Sequence, residues 1–272
     1  MAIPKLTILV IGATGSIGHL VVEEALRQGH NVRALVRTAA KARLFPAHVE
    51  TVLGDVTQPD TLPAAVAGAD AIVFTLGSDG AGKVGAETID YGGVRNTLLA
   101  LGAIRPRIAL MTSIGVTNRT GSYNRSTEAH DWKRRSERLV RASGLPYTIV
   151  RPGWFDYNKP SELHMQLLQG DTRQAGTSAD GVIARRQIAE VLVHSLTSPT
   201  AVSKSFELVA TTGPAQTDFD ALFAPLDPDI SVISAQPGDF DGVRDTNNQP
   251  FAEEPERVRH DLDTIRNQFR IN

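Results

Sequence analysis

The stretch that decides the fold is residues 5–41, KLTILVIGATGSIGHLVVEEALRQGHNVRALVRTAAK. It starts with a continuous apolar run, residues 6–11, of the kind found in strands that are buried on both faces of a parallel sheet. Three glycines follow, and apolar residues then recur at helical spacing until Gly29. A second apolar stretch, Asn31–Val36, completes the pattern. We therefore predict one βαβ unit: a strand, a glycine turn, a helix and a strand.

The turn between the first strand and the helix has glycines at positions 12, 15 and 18. Glycine lets the main chain turn tightly and approach a bound group, and the free N–H groups of a helix's first turn attract negative charge. A pyrophosphate fits such a turn without any cationic side chain beside it. Because a strand precedes the glycines and a helix follows them, we predict a dinucleotide site rather than an ordinary turn. The expected contacts are Gly12, Thr14, Gly15, Ser16, Ile17 and Gly18.

The residue after the second strand indicates which nicotinamide nucleotide binds. Proteins that prefer NAD place an acidic residue there, about 20 residues past the glycines, to bind the ribose hydroxyls. This chain has Arg37 instead, with Lys41 and Arg43 close behind. An arginine fork binds the 2′-phosphate of NADP, which a carboxylate would repel. We predict NADP(H), with NAD(H) as the second choice. The alternative is that Arg37 only begins a solvated loop.

The rest of the chain continues to alternate strands and helices as far as about residue 210. This alternation predicts an α/β fold, a Rossmann-like doubly wound parallel sheet with helices on both faces. The C-terminal helix has an apolar stripe, which predicts docking on the parent domain or, as the alternative, a dimer contact. The predicted strands are 49–53, 71–76, Arg107–Met111, 147–150 and 206–209, and the predicted helices are 61–67, 86–102, 131–143, 161–169, 186–198 and Glu256–Phe269.

Four units make up the predicted domain organisation. Residues 1–155 form an NADP(H)-binding Rossmann domain, and 187–210 complete it with a helix and a strand. The less regular segments 156–186 and 211–250 are predicted to form a small, irregular C-terminal substrate lobe. The second of them is rich in proline, aspartate and glycine, which is typical of irregular structure. Residues 251–272 are predicted to be the docking helix.

Two further strand ends are expected at the nucleotide site, because ligands of doubly wound sheets bind at the carboxyl ends of the strands. Asp55 and Val56 follow the third strand, where an adenine ring is expected. A turn cap is an equal alternative for Asp55. Gly77 follows the fourth strand and begins a glycine-rich loop, 77–85, on the same side of the sheet.

Composition argues against several other classes of protein. The chain has 272 residues, of which 41% are hydrophobic, so it can bury a large core. A formal net charge of −2 does not favour nucleic-acid binding, and the seven histidines are scattered without ligand spacing, so we expect no metal site. Without cysteines there are no disulfides or thiolate sites. No apolar run reaches the ~18 residues of a membrane span, and we expect a cytoplasmic protein that does not bind membranes.

Several short motifs together resemble the short-chain dehydrogenase/reductase superfamily, in particular its atypical NAD(P)H-binding or NmrA-like branch. The resemblance covers roughly residues 5–210. It implies that the backbone at Pro152 and Gly153 passes the nicotinamide and that Asn96 supports the geometry of the active site. The motifs that carry it are Gly12-Ala13-Thr14-Gly15-Ser16-Ile17-Gly18, Arg37, Gly54-Asp55, Met111-Thr112-Ser113, Lys133 and Arg151-Pro152-Gly153.

The catalytic residues implied by the resemblance are Ser113 and Lys133. In the superfamily, the serine follows the fifth strand, and the lysine lies four residues after a tyrosine on the next helix. The lysine holds the nicotinamide ribose and lowers the pKa of the tyrosine, which exchanges a proton with the substrate. This chain has Ala129 at the position of the tyrosine. An alanine cannot donate a proton, so the chain departs from the usual mechanism of alcohol dehydrogenases and sugar epimerases.

Other side chains are candidates for the missing acid, namely Tyr123, His130, Tyr157 and His164. A structural or solvated role is the alternative for each. Trp154 and Phe155 are expected either to cover the pocket or to pack in the lobe. Lys133 begins a basic run on its helix, which is typical of a solvated face balanced in part by Glu137. The other basic residues of that helix are Arg134, Arg135, Arg138 and Arg141.

Two functions fit this sequence. The first is an NADP(H)-dependent oxidoreductase of a small organic acceptor such as a flavin or quinone, which needs little more than a positioned hydride and a proton from water. The second is a non-catalytic redox sensor that binds NADP(H), in the manner of NmrA-like proteins. The lost tyrosine favours the sensor, and the otherwise intact nicotinamide end favours the enzyme, which we expect. The expected partner is a small-molecule substrate, and the expected state is a monomer or homodimer.

Overall fold

The computed structural model describes residues 4–78, 80–229 and 254–270. Within these residues ten strands form a single sheet. The strands are β1 Thr7–Ile11, β2 Asn31–Val36, β3 Glu50–Leu53, β4 Ala71–Phe74, β5 Arg107–Met111, β6 Tyr147–Pro152, β7 Trp154–Phe155, β8 His164–Leu168, β9 Val182–Ile183 and β10 Lys204–Thr211.

The order of the strands across the sheet is β3-β2-β1-β4-β5-β6-β10-β9-β7, and β8 pairs with β10. The strands from β3 to β6 and the β6–β10 pair are parallel, whereas β8 and β9 are antiparallel to β10. The direction of winding reverses between β1 and β4. In doubly wound sheets, this reversal is the point at which a ligand binds. The predicted fold class is confirmed.

The central strands alternate their side chains between two apolar layers, one on each face of the sheet. In β1, Ile8 and Val10 belong to one buried cluster, and Leu9 and Ile11 belong to the other. Successive side chains of a strand point to opposite faces, so a run that is apolar at every position requires cover on both sides. One layer includes residues of the helices at 16–27 and 185–197. The other includes residues of the helices at 92–100, 129–142 and 256–269.

The helices that cover the sheet follow the predicted alternation, with four short additions that sequence periodicity did not indicate: α2, α4, α6 and α9. The α-helices are α1 Ser16–Arg27, α2 Ala39–Ala42, α3 Pro63–Val66, α4 Gly82–Gly85, α5 Gly92–Ala100, α6 Ser122–Thr127, α7 Ala129–Ala142, α8 Arg185–Thr197, α9 Phe219–Phe223 and α10 Glu256–Phe269. The predicted helix over 86–102 begins as a π-helical turn, Ala86–Tyr91, and continues as α5.

The predicted helix over 161–169 is wrong, because β8 occupies most of this segment. Met165 is buried while its neighbours His164 and Gln166 are exposed, which is the two-residue period of a strand. The physical reason is the free side of β10, whose N–H and C=O groups need a partner. β8 supplies it in antiparallel register, and this part of the predicted substrate lobe therefore extends the main sheet.

The C-terminal helix α10 docks on the parent domain, as its apolar stripe predicted. Val258, Leu262, Ile265 and Phe269 are all buried in the layer that also contains residues of α5 and α7. Residues 230–250 of the predicted lobe lie outside the described residues, as does Asp79 of the glycine-rich loop. Within the described ranges, no helix combines the length and the apolar character that crossing a membrane requires.

Candidate functional site

The glycine turn after β1 is shaped by close backbone packing. Gly12 has a φ of +87°, a conformation that favours glycine, and a Cβ there would lie 2.8 Å from the carbonyl oxygen of Thr75. A Cβ on Gly18 would lie 2.1 Å from the carbonyl oxygen of Gly12. Both glycines therefore let α1 start directly against the carboxyl ends of β1 and β4.

The N-terminus of α1 has no acceptor of its own. Its N-cap residue is Gly15, which offers no side chain, and its first turn contains no acidic residue. The first N–H groups of a helix have no partner within the helix, so those of α1 are available to an anion. Gly15 and Ser16 are exposed and Thr14 is partly so, whereas the Ile17 side chain belongs to the core.

The polar groups after β2 and β3 border the same end of the sheet. Arg37, Lys41 and Arg43 are all exposed. The Asp55 carboxylate accepts hydrogen bonds from the backbone N–H and the hydroxyl of Thr57, at 2.9 and 2.8 Å. Asp55 thus caps a turn, which was the alternative to adenine binding.

Two other predicted residues, Asn96 and Gly77, differ in their surroundings at this end of the sheet. The Asn96 side-chain amide donates to the Val56 carbonyl oxygen at 2.8 Å. Asn96 thus fixes the loop where an adenine is expected, rather than the catalytic end. A Cβ on Gly77 would meet nothing within 4 Å, so the chain after β4 borders open space.

Lys133 of α7 lies against an aspartate that sequence reasoning did not identify. Its Nζ is 2.8 Å from Asp90 Oδ1, and the Ser78 hydroxyl donates to Asp90 Oδ2 at 2.5 Å. Asp90 is almost fully buried and lies in the π-helical turn, a feature that is frequent at functional sites. The Ser136 hydroxyl donates to the Asp90 carbonyl oxygen at 2.6 Å. A small cavity beside this cluster is also lined by Leu76, Met111 and Thr112.

Ser113 follows β5 and has a buried hydroxyl without a hydrogen-bond partner in the described parts of the chain. A buried polar atom of this kind costs free energy unless a ligand or water completes it. The orphaned hydroxyl and the open helix N-terminus therefore fit a polar ligand along the carboxyl ends of the strands. The Ala129 side chain, at the position of the superfamily's tyrosine, is buried and apolar.

The four candidate acids lie in different surroundings. The rings of Tyr123 and His130 are 5.2 Å apart. Burial lowers the pKa of His130, and the positive charge of Lys133 acts in the same direction, although the Asn118 carbonyl and the carboxylates of Asp171 and Asp131 oppose this shift. Tyr157 is 66% exposed, and His164 is exposed on β8.

Pro152 and Gly153 are engaged within the sheet. Pro152 is the last residue of β6, and its carbonyl oxygen accepts from the Ile114 N–H at 3.0 Å. A Cβ on Gly153 would lie 2.5 Å from the Gly181 carbonyl oxygen, so this glycine is required by packing. Trp154 is 39% exposed and meets Tyr157 edge to face, which leaves its ring at the surface.

The basic run on α7 is largely buried and does not form the solvated face that was the alternative for this run. Arg134, Arg135 and Arg141 are each at most 5% exposed. Glu137 is fully buried between Arg151 and Arg141, at 2.7 and 3.1 Å, and also accepts the Thr112 hydroxyl at 2.8 Å. This network fixes the strand end that leads into Ser113.

Charge pairing outweighs the cost of burying Glu137. Burial alone would raise the pKa of its carboxyl, but Arg151 and Arg141 outweigh that effect and lower it to about 2. Glu207, which also pairs with Arg151, accepts the Asp171 N–H at 3.1 Å. No local pattern could reveal this network, because its members come from α7, β6, β10 and the loops after β5 and β8.

The chain is similar to several curated proteins. It is 29% identical to the sanguinarine reductase of Eschscholzia californica over 267 residues, which covers 82% of this chain and 96% of the relative. It is 30% identical to the NAD(P)H azoreductase of Xenophilus azovorans, over 71% of this chain and 64% of the relative. It is also 30% identical to the chloroplastic protein TIC 62 of Oryza sativa, over 75% of this chain. It spans only 46% of the length of that relative.

Solved structures share the fold. A protein of Bacillus halodurans assigned as an NAD-dependent epimerase/dehydratase matches with a TM-score of 0.68 and 23% identity, over 81% of this chain and all of the other. A short-chain dehydrogenase/reductase of Veillonella parvula, in complex with NADP, matches with a TM-score of 0.58 and 18% identity, over 76% of this chain and 95% of the other. The NAD(P)H-binding family model matches residues 12–199. This chain therefore belongs to the NAD(P)H-binding family.

Proposed function

We propose that this protein is an NADP(H)-dependent reductase of a small organic acceptor that works without the superfamily's tyrosine. The observation that carries the proposal is the arrangement at the carboxyl ends of β4 and β5. There Lys133 is held by a buried aspartate, and Ser113 presents a hydroxyl that has no partner among the described residues. The names of the two reductase relatives support a reductase.

Each proposed contact with the cofactor follows from a group described above. The first turn of α1 would hold the pyrophosphate, and Arg37 would bind the 2′-phosphate. Lys133 would hold the nicotinamide ribose, with Asp90 fixing the direction of its ammonium group. NADPH supplies a hydride when bound, and Ser113 would orient the acceptor by a hydrogen bond. The proton would come from water, because Ala129 cannot provide it.

A redox sensor is the second candidate, and two observations favour it. The Ala129 position has no hydroxyl, and its methyl side chain is buried. TIC 62 is much longer than this chain, so a segment similar to this chain also occurs within a larger protein. In this function the same site would bind NADP(H) without turnover.

Turnover distinguishes the two functions. We would mix the protein with NADPH and a panel of quinones, flavins and aldehydes and follow absorbance at the nicotinamide band. The reductase predicts turnover that falls at least about tenfold in Lys133→Met, because the ribose contact is lost. Lys5→Met is the control, since Lys5 is exposed before the amino end of β1, away from the site. Tight NADPH binding without turnover on any acceptor would support the sensor instead.

Cofactor preference provides a separate test. Arg37→Glu should weaken NADPH binding by about tenfold or more, because a carboxylate would face the 2′-phosphate that the guanidinium binds. NADH serves as the internal control, since it lacks that phosphate, and its dissociation constant should change little. An equal loss for both nucleotides, measured by calorimetry, would show that Arg37 does not bind the 2′-phosphate.

A further inference from the structure

A cationic side chain lies beside the glycine turn although the turn's own sequence contains none. Arg185, the first residue of α8, donates from Nε to the Ser16 hydroxyl at 3.1 Å. Ser16 is the first residue of α1 and lies at its open N-terminus. The guanidinium of Arg185 therefore borders the N–H groups that are available to an anion. More than 160 residues separate the two side chains in sequence, so no local motif connects them.

Arg185 is held in place by the chain that follows β7. The backbone N–H of Arg185 donates to Asp156 Oδ1 at 3.0 Å, and its guanidinium pairs with Asp156 Oδ2. The guanidinium carbon also lies 5.3 Å from the centre of the Phe155 ring. Asp156 has a φ of +57°, in the left-handed region that glycine, asparagine and aspartate adopt more readily than other residues. Its carboxylate is thus fixed against the helix by a specific backbone conformation.

The Arg185–Asp156 pair is exposed enough for Arg185 to leave Asp156 and bind a stronger partner. The two side chains are 35% and 49% exposed, and ion pairs in such surroundings contribute little to stability. A diphosphate carries more charge than one carboxylate, and an arginine fork binds phosphate oxygens with two parallel hydrogen bonds. The neighbouring helix N-terminus adds to this attraction.

We propose that Arg185 binds the diphosphate of the nicotinamide nucleotide, and that Asp156 holds the guanidinium beside the glycine turn until the nucleotide arrives. This inference rests on the proposed nucleotide site but concerns a residue outside the family's glycine motif. It also assigns a function to the segment after β7. That segment controls the position of a phosphate ligand as well as bordering the substrate side of the sheet.

The next residue provides a matched control. Arg186 has the same charge and also lies in the first turn of α8, but it pairs with Glu23 of α1 at 2.8 Å instead. It is 52% exposed, so its removal disturbs the fold no more than the removal of Arg185. A general loss of positive charge would affect both variants alike, whereas a diphosphate contact would affect Arg185 alone.

The test is calorimetric titration of Arg185→Ala and Arg186→Ala with NADPH and with NADH. We expect Arg185→Ala to raise both dissociation constants about five- to tenfold, since both nucleotides contain the diphosphate. Arg186→Ala should change either constant less than about twofold. Equal effects of the two variants would overturn the proposal. A loss confined to NADPH would also overturn it, because Arg185 would then contact the 2′-phosphate.

A second variant examines the role of Asp156. Asp156→Asn keeps a side chain that tolerates the left-handed conformation and removes the charge that competes for Arg185. It should lower the dissociation constants of both nucleotides about twofold or more. Weaker binding in this variant, with unchanged thermal unfolding of the free protein, would contradict the exchange. If the unaltered protein bound neither nucleotide, the proposed function itself would fail, which is a different result from equal behaviour of the arginine variants.

Discussion

Two regions of the sheet differ in how they are built. In β1 and β4 the buried side chains are all apolar, and glycines such as Gly18 bring backbone atoms into direct contact. Around β6 and β10 the interior contains ion pairs, with Glu137 and Arg151 almost fully excluded from water. The first region has its shape because glycines carry no side chain, and the second is held by charges that neutralise one another. The first region can therefore be recognised from the spacing of glycines in the sequence, whereas the second depends on ion pairs between residues that are far apart in the chain.

The largest expected effect comes from removing one charge of the buried network. Glu137→Gln should lower the free energy of unfolding by about 3–5 kcal/mol, because Arg151 and Arg141 would each lose a buried partner. Denaturant unfolding of the purified protein measures the change. Glu23→Gln is the control, since its partner Arg186 is half exposed and the expected loss is below about 1 kcal/mol. Similar losses in both variants would show that the buried network contributes no more than a surface pair.

The same carboxylate should make the protein sensitive to acid. The pKa of Glu137 is lowered in the folded protein to about 2, from an ordinary value of 4.5. A lowered folded pKa gives stability that is fully present above the unfolded value and is lost as the pH falls toward the folded one. We therefore expect the Glu137 contribution to disappear between pH 4.5 and about 2. Glu137→Gln should unfold with a shallower dependence on pH in that window, and an unchanged slope would contradict the assignment.

A methyl group added at Gly18, in the region around β1 and β4, should disturb both folding and nucleotide binding. Gly18→Ala should cost up to about 3 kcal/mol of unfolding free energy, because the new Cβ would meet the Gly12 backbone at 2.1 Å. Nucleotide binding should weaken strongly, since the first turn of α1 would shift. Gly77→Ala is the stability control, because nothing lies within 4 Å of a Cβ there. Equal melting temperatures for the two variants would refute the packing argument.

The smallest expected effect is at the edge of the charge network. The Tyr147 hydroxyl donates to Asp229 at 2.8 Å, and the same carboxylate also contacts Arg141 and Ser205. Tyr147→Phe should therefore lower the free energy of unfolding by about 1.5 kcal/mol, because three donors to Asp229 remain, one from Arg141 and two from Ser205. Denaturant unfolding tests this value beside Glu137→Gln. A loss as large as that of Glu137→Gln would mean that the tyrosine, and not the ion pairs, stabilises the region around β6 and β10.

Three elements could be predicted to the residue from local periodicity, whereas most of the others differ by a few residues at their ends. The strands Asn31–Val36 and Arg107–Met111 and the helix Glu256–Phe269 have the predicted bounds. β8 could not be predicted in this way, because its conformation depends on pairing with β10, about 40 residues later. The sequence 164–168 is compatible with either type of structure until that partner is known.

The residues of the candidate site also differ in whether local sequence could locate them. Spacing and resemblance located the glycine turn, Ser113 and Lys133, although their roles stay predictions. Asp90 was missed because its burial results from a π-helical turn, for which the sequence has no clear signal. Arg185 was missed because only the packing of α8 beside α1 brings it to Ser16. Residues that act through backbone shape can be recognised from sequence, and residues that act through distant partners cannot.

The π-helical turn before α5 also determines which side chain reaches α7. With hydrogen bonds that span five residues, it accommodates one residue more than an α-helix of the same length along the axis. Deleting a single residue there should let the helix continue regularly into α5 and leave the sheet unchanged. It should, however, alter which side chain faces the lysine of α7. One extra residue in a helix thus places a buried carboxylate against Lys133 without any change in the core strands.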